Sequence, residues 1–201
     1  HMGSAKSWSG FSLDVKRGIL FAGTSTPTND FYGGNRLGDG LYGNSLLAIE
    51  AETGKLKWHF QTVHHDVWDM DLSSPPALVT IKRGNTSVDA VALTTKTGFV
   101  FVFNRLTGEP LFPIEEKTVP TNDVALGEKL SPTQPFPRKP APFVRQHLTE
   151  NDLNPFLDDS SYQKIKATFK AYRHEGIFTP PTEKGTLIFP GYDGGGEWGG
   201  P

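Results

Sequence analysis

Two stretches of this chain repeat one another without gaps. Ser45 to Phe60, "SLLAIEAETGKLKWHF", aligns on Phe99 to Ile114, "FVFVFNRLTGEPLFPI", at an offset of 54 residues. In both copies an apolar run precedes a Thr-Gly turn, Thr53-Gly54 or Thr107-Gly108, and an aromatic follows at Trp58 or Phe112. A repeat of this length, built of short strands, is what one blade of a β-propeller requires, because each four-stranded blade hides its faces against the next. The turn glycine would supply positive φ, and the aromatic would dock between neighbouring blades. Two unrelated hairpins sharing a common turn are the alternative; the match along the strand as well as the turn favours the blade.

Other short runs, "GILFAG", "DAVALTT" and "GTLIFPG", lie between turns set by 22 glycines and 16 prolines, so the chain reads as all-β. Residues 113–184 depart from the pattern as a long loop and helix excursion. Within it, the prolines of "SPTQPFPRKPAPF" argue for extended, unpaired backbone. Tyr162, Ile165, Phe169 and Tyr172 then recur at helical spacing, with Asp159 and Ser160 as caps and Gly176 as a stop, which predicts one short amphipathic helix packed on the β core.

A formal charge of -2 gives no sign of nucleic-acid binding, and no apolar run reaches the length a bilayer needs. Cysteine is absent, which removes disulfides, thiolate zinc sites and cysteine nucleophiles together and leaves the redox compartment open. His1-Met2-Gly3-Ser4 reads as an expression-tag remnant, so residues 5–201 are expected to be the natural sequence, a piece of a longer protein.

The chemistry-bearing side chains concentrate in "QTVHHDVWDMD", Gln61 to Asp71. His64, His65, Asp66, Asp69 and Asp71 offer imidazoles and carboxylates, but at a spacing that fits no helical zinc pattern. The alternative is a loop in which Trp68 packs, the histidines bond backbone and the carboxylates face water. Lys96, in "TTKTGFV", lies between two apolar runs, where a lysine ordinarily snorkels at the surface.

Four longer stretches narrow the choice: "HFQTVHHDVWDMDLSSPPALV", "TTKTGFVFVFNRLTGEP", "SPTQPF" and "EGIFTPPTEKGTLIFPG" with the later "EWGG". Together they resemble successive signatures of the membrane-associated quinoprotein glucose dehydrogenases, which depend on pyrroloquinoline quinone (PQQ), and the resemblance runs from Trp8 to Gly200. It implies a β-propeller segment of about three blades from a larger eight-bladed ring. It also implies oxidation of an aldose to its lactone with electrons passed to membrane ubiquinone, on the periplasmic side of the bacterial inner membrane. By position, Trp8 matches the flat floor beneath the quinone ring, Asp69 the general base and Lys96 the residue on the quinone oxygens. His64 is a candidate substrate contact by resemblance alone, and Asp30 is either part of a family motif or a turn former before Gly33-Gly34. Calcium or magnesium is implied as a Lewis acid, with ligands expected outside this chain. A non-catalytic propeller scaffold of envelope assembly, which needs no base, is the competing reading. The chain by itself is expected to be inactive and to self-associate through uncovered blade edges.

Overall fold

A computed structural model describes residues 4–201; the tag-like His1-Met2-Gly3 lies outside the described residues. Four strands, β1 (Phe11–Asp14), β2 (Ile19–Gly23), β3 (Ser45–Glu50) and β4 (Leu56–Gln61), form one antiparallel meander in chain order. A second meander holds β5 (Ala77–Arg83), β6 (Thr86–Thr94) and β7 (Val100–Asn104). A two-stranded sheet of β8 (Ile114–Thr118) and β9 (Thr133–Pro137) follows, then one helix, α1 (Asp159–Ala171). No helix among the described residues is long and apolar enough to cross a membrane.

The sequence repeat is a structural repeat down to its turn. In the first copy the Gly54 amide donates to the Glu50 carbonyl at 2.8 Å, and the Glu50 amide to the Lys55 carbonyl at 2.8 Å. The second copy reproduces both bonds, Gly108 to Asn104 at 3.0 Å and Asn104 to Glu109 at 2.9 Å. Gly54 and Gly108 have φ of 72° and 73°, the left-handed region that a side chain resists. Beyond the turn the copies diverge. Pro110 stands where Leu56 begins β4 and Pro113 follows; each removes an amide donor, so the second copy keeps only a bridge from Pro110 to Phe103 in place of a fourth strand.

Trp58 joins the two meanders. Its indole N–H donates to the Arg105 carbonyl at 3.1 Å, and its ring lies 5.8 Å from both Phe21 and Phe103. Phe60, Phe101 and Phe103 extend this aromatic layer, and Ile19, Leu46, Val91 and Leu93 fill the same core. At the outer margin the buried Asp14 carboxylate accepts from Arg17 at 2.7 Å and Arg105 at 3.1 Å, while Arg105 also donates to the Val79 and Ala90 carbonyls. Burial pushes the Asp14 carboxyl upward, but the two guanidiniums outweigh it and hold it below the ordinary range.

Three expectations need correction. The Pro-rich stretch is not unpaired, since Thr133–Pro137 is strand β9. Val119 donates to Pro132 and Arg138 to Pro113, so the bonded positions alternate through 132, 134, 136 and 138; Pro135 and Pro137 fall between them, where no amide is needed. "GTLIFPG" forms only a one-residue bridge, Thr186 to Arg173. The helix exists, but its cap is Asp158, whose carboxylate accepts from the Ser161 amide at 3.0 Å, and only Phe169 of its apolar stripe is buried.

The two turn glycines differ in surroundings. A Cβ at Gly54 would meet open space, whereas one at Gly108 would lie 2.7 Å from Trp58 Cδ2. Gly54→Ala is expected to cost about 1 kcal/mol through φ alone. Gly108→Ala is expected to cost about 2–4 kcal/mol, because the indole at the sheet junction must also move. Denaturant midpoints of the two variants check this; equal losses would show that the Trp58 junction does not constrain the turn.

Candidate active site

The loop after β4 is organised by a carboxylate that never reaches solvent. Asp66 is 0% exposed and accepts from the Trp68 amide at 2.8 Å, the Met70 amide at 2.7 Å, Asn44 Nδ2 at 2.8 Å and the Thr26 hydroxyl. Bonds to the second and fourth residues ahead fold the chain into a tight turn, and Thr26 and Asn44 tie it to the ends of β2 and β3. Burial pushes the Asp66 carboxyl above its ordinary value, against the opposing pull of these donors. Trp68 completes the anchor from below, fully buried with its indole N–H on the Thr179 carbonyl at 2.7 Å.

The turn splays its neighbouring side chains in different directions. His64 meets Gln61 and Glu116, each at 3.1 Å, and its backbone is clamped by both ends of the Gln134 amide on β9 at 2.8 Å. His65 is buried between the Gly38 carbonyl and Glu128, each at 2.7 Å. Asp69 stands at φ 58°, a left-handed position that aspartate tolerates better than most residues, and faces Lys96. Asp71 faces Trp8. "QTVHHDVWDMD" therefore does not close on itself as a ligand set, and among the described residues no three histidine, aspartate or glutamate side chains gather as a metal site would need.

Three of the four residues singled out from sequence come together. Lys96 is 5% exposed, not a surface lysine; its Nζ donates to the Asp69 carbonyl at 3.0 Å and to Asp69 Oδ2 at 3.3 Å. It rides on the tight Thr95–Gly98 turn between β6 and β7, against which Gly194, Gly195 and Gly196 pack: the Gly195 amide donates to the Lys96 carbonyl at 2.8 Å, and a Cβ at Gly194 would lie 2.5 Å from Lys96 Cα. Trp8 approaches from the lead-in to β1, pinned by reciprocal bonds between Lys6 and Ser25, and its indole N–H reaches Asp71 Oδ2 at 2.8 Å.

Trp8, Asp30, Asp69 and Asp71 line one open cavity of about 320 Å³, with Lys6 and Thr26. Lys96 sits behind Asp69, and His64 lies outside this lining. A hollow of about 560 Å³ over Phe99, Phe136 and Phe178 is larger, but its charged groups stand around an aromatic floor and none repeats the buried lysine–carboxylate pair. Size does not mark the chemistry here. Burial pushes the Asp69 carboxyl above its ordinary value; Lys96 pulls it down, and the charges of Asp71 and Asp66 push it up. One oxygen of Asp69 meets Lys96, and the other has no partner among the described residues, so the group can take up a proton from the cavity.

The comparisons with known proteins concern the chain as a whole. Residues 1–201 match the family model "PQQ: Glucose/ethanol/alcohol dehydrogenase, beta-propeller domain". The chain belongs to this family. It is 42% identical over 206 residues to quinoprotein glucose dehydrogenase A of Acinetobacter calcoaceticus, covering 98% of this chain and 25% of that protein. Against quinoprotein glucose dehydrogenase of Escherichia coli K12 the identity is 40% over 208 residues, covering 98% and 24%. Among solved structures, the quinohemoprotein alcohol dehydrogenase of Comamonas testosteroni superposes with a TM-score of 0.52 at 26% identity, covering 67% of this chain and 20% of that one. The chain thus spans about a quarter of the length of the curated relatives it matches. Its fold class is an all-β segment of a β-propeller.

In the sequence Asp66 and Asp71 stand out only as possible ligands of one cluster, and Thr26 and Asn44 not at all; in the structure all four hold the site together. Asp71 carried the one available signal: it follows Asp69 at a spacing of two. Replacing Asp66 by Asn can keep one oxygen toward Thr26, Asn44 and Met70, but it then turns the amide N–H2 toward the Trp68 N–H, which cannot accept. Asp66→Asn is expected to lose about 2–3 kcal/mol of stability, read by denaturant unfolding. An unchanged midpoint would mean the loop is held by packing alone.

Proposed function

We propose that this chain is the part of a PQQ-dependent sugar dehydrogenase that supplies the cofactor floor, the base and a quinone-facing lysine, in an enzyme oxidising an aldose such as glucose to its lactone. The observation that carries the reading is the convergence of Trp8, Asp69 and Lys96, far apart in sequence, on one cavity and its wall. Similarity to two quinoprotein glucose dehydrogenases across nearly the whole chain supports the aldose over other alcohols. The remaining blades of an eight-bladed ring, membrane ubiquinone as electron acceptor and a periplasmic location belong to the same proposal. A scaffold without catalysis has no use for a base in a left-handed backbone position beside a buried lysine.

The cavity suits a planar ring system on two grounds. Trp8 is 46% exposed, so one broad aromatic surface is open while its N–H is already engaged. Lys96, in the wall behind Asp69, uses two of its three N–H donors on that residue, which leaves one uncommitted. PQQ, when bound, supplies a two-electron acceptor. Asp69 takes the proton of the anomeric hydroxyl, which must leave as the C–H bond breaks, since a free alkoxide is costly at neutral pH. Lys96 holds positive charge where negative charge develops and keeps the carboxylate ionised. Calcium or magnesium is part of the reading, with its ligands outside this chain; among the described residues no three histidine, aspartate or glutamate side chains gather around a common point.

In the full-length enzyme supplied with PQQ, calcium and glucose, sugar-dependent dye reduction is expected; its absence across aldoses and simple alcohols would sink the reading. Asp69→Asn is expected to lower turnover by about two to four orders of magnitude with little change in quinone affinity. A loaded enzyme with normal turnover would make Asp69 a scaffold element.

The pH profile follows from the same geometry. A base works when deprotonated, so kcat/KM falls as pH drops through the raised Asp69 pKa. Lys96→Met removes the charge that lowers it, so at saturating quinone the acid limb is expected to move to higher pH. A limb that stays in place would mean another group is the base. The 201-residue chain alone is expected to be inactive and to self-associate along the edge strand β1, where Phe11 and Leu13 are exposed; light scattering that shows a monomer unchanged by concentration would count against this.

A further inference from the structure

Asp71 has no role in the chemistry proposed above, yet it is built into the site from both sides. It is 9% exposed; Oδ2 accepts from the Trp8 indole at 2.8 Å, and Oδ1 accepts from the Thr26 amide at 2.7 Å. One carboxylate therefore joins the lead-in to β1, the segment after β2 and the loop after β4. Trp8 is nearly half exposed and its single polar atom is bonded to Asp71, so that bond tethers the ring at the cavity. Asp69 lies two residues before Asp71, so the same short stretch carries the base and the anchor of the floor.

We propose that Asp71 is a positioning residue: it fixes the plane of the Trp8 indole, and so the floor on which the planar cofactor lies, in register with Asp69. This rests on the functional reading above. Asp71 has a second consequence, because its negative charge acts on Asp69 in the same direction as burial. Around Asp69 stand Lys96 from the β6–β7 turn and Asp66 and Asp71 from its own loop, while Lys6 and Asp30 line the same cavity. Both donors that face Asp71 are N–H groups that cannot accept, so asparagine, with one acceptor oxygen, satisfies only one of them well.

The test is a double-mutant cycle in the full-length apoenzyme, with PQQ affinity read from the quinone absorbance retained after gel filtration. D71N is expected to weaken PQQ binding about tenfold, equivalent to about 1.4 kcal/mol. W8F, which keeps an aromatic floor but deletes the donor, is expected to weaken it at least as much. The double variant is expected to fall no further than W8F, because the interaction that Asp71 serves is then already gone. D71N is also expected to move the acid limb of kcat/KM to lower pH in both backgrounds, since it removes a charge beside the base. Unchanged PQQ affinity in D71N, or fully additive losses in the double variant, overturns the proposal. Should D71N not fold, D71E keeps both acceptors while displacing them, and the cycle of D71E with W8F is read by the same rule. The affinity readout does not pass through Asp69. Full turnover in Asp69→Asn would therefore sink the base assignment and leave this proposal standing, whereas an apoenzyme that binds no PQQ would sink both.

Discussion

A carboxylate removed from water must be given donors, and the site hangs on how this chain meets that demand. Asp66 cannot be left unpaired in the core, where an unsatisfied charge is among the costliest defects a fold can carry. Two donors come from the loop ahead of it and two from Thr26 and Asn44 beside the ends of β2 and β3. The satisfied carboxylate thereby fixes the path of residues 66–71 relative to β2 and β3. Asp69 and Asp71 then have no freedom to choose where they point. The left-handed backbone at Asp69 is tolerable because the turn around it is over-determined by these bonds.

Much of the fold was legible because it is written in local terms. The repeat at 54 residues foretold two matching turns, and both form with the same pair of hydrogen bonds. The expectation that the repeat aromatic docks between sheets holds for Trp58, which lies against the second turn glycine. Proline was misjudged because its effect depends on parity. At Pro110 it stops a strand, whereas at Pro135 and Pro137 it occupies the unbonded positions of β9 and stops nothing. No composition rule distinguishes these cases; only the register does.

The site was legible by residue type and not by partnership. The eleven residues from Gln61 to Asp71 look like one cluster in the sequence, yet their polar groups turn to Glu116, Gln134, Glu128, Lys96 and Trp8, each brought in from elsewhere in the chain. Lys96 could have been a surface lysine on sequence grounds; it is buried because the glycines at 194–196 let a second backbone close over its turn. Asp66 and Asp71 were noticed as possible ligands but not as supports, because a supporting carboxylate is indistinguishable, in sequence, from a solvated one.

The arrangement balances two opposing needs of a base. A carboxylate fully paired with lysine is stable but too weak a base, and one buried without a cation does not stay ionised. At Asp69 the cation is single and bound partly through the backbone carbonyl, while Asp66 and Asp71 press from the other side. Each of those two carboxylates is itself held by two or more donors, so turning toward Lys96 to relieve the pressure would break those bonds. The charge that tunes the base is therefore set by groups whose first task is structural. This is why the loop cannot be shortened to its one catalytic residue: removing either flanking aspartate would alter the backbone that aims Asp69 and the field that makes it basic in the same step.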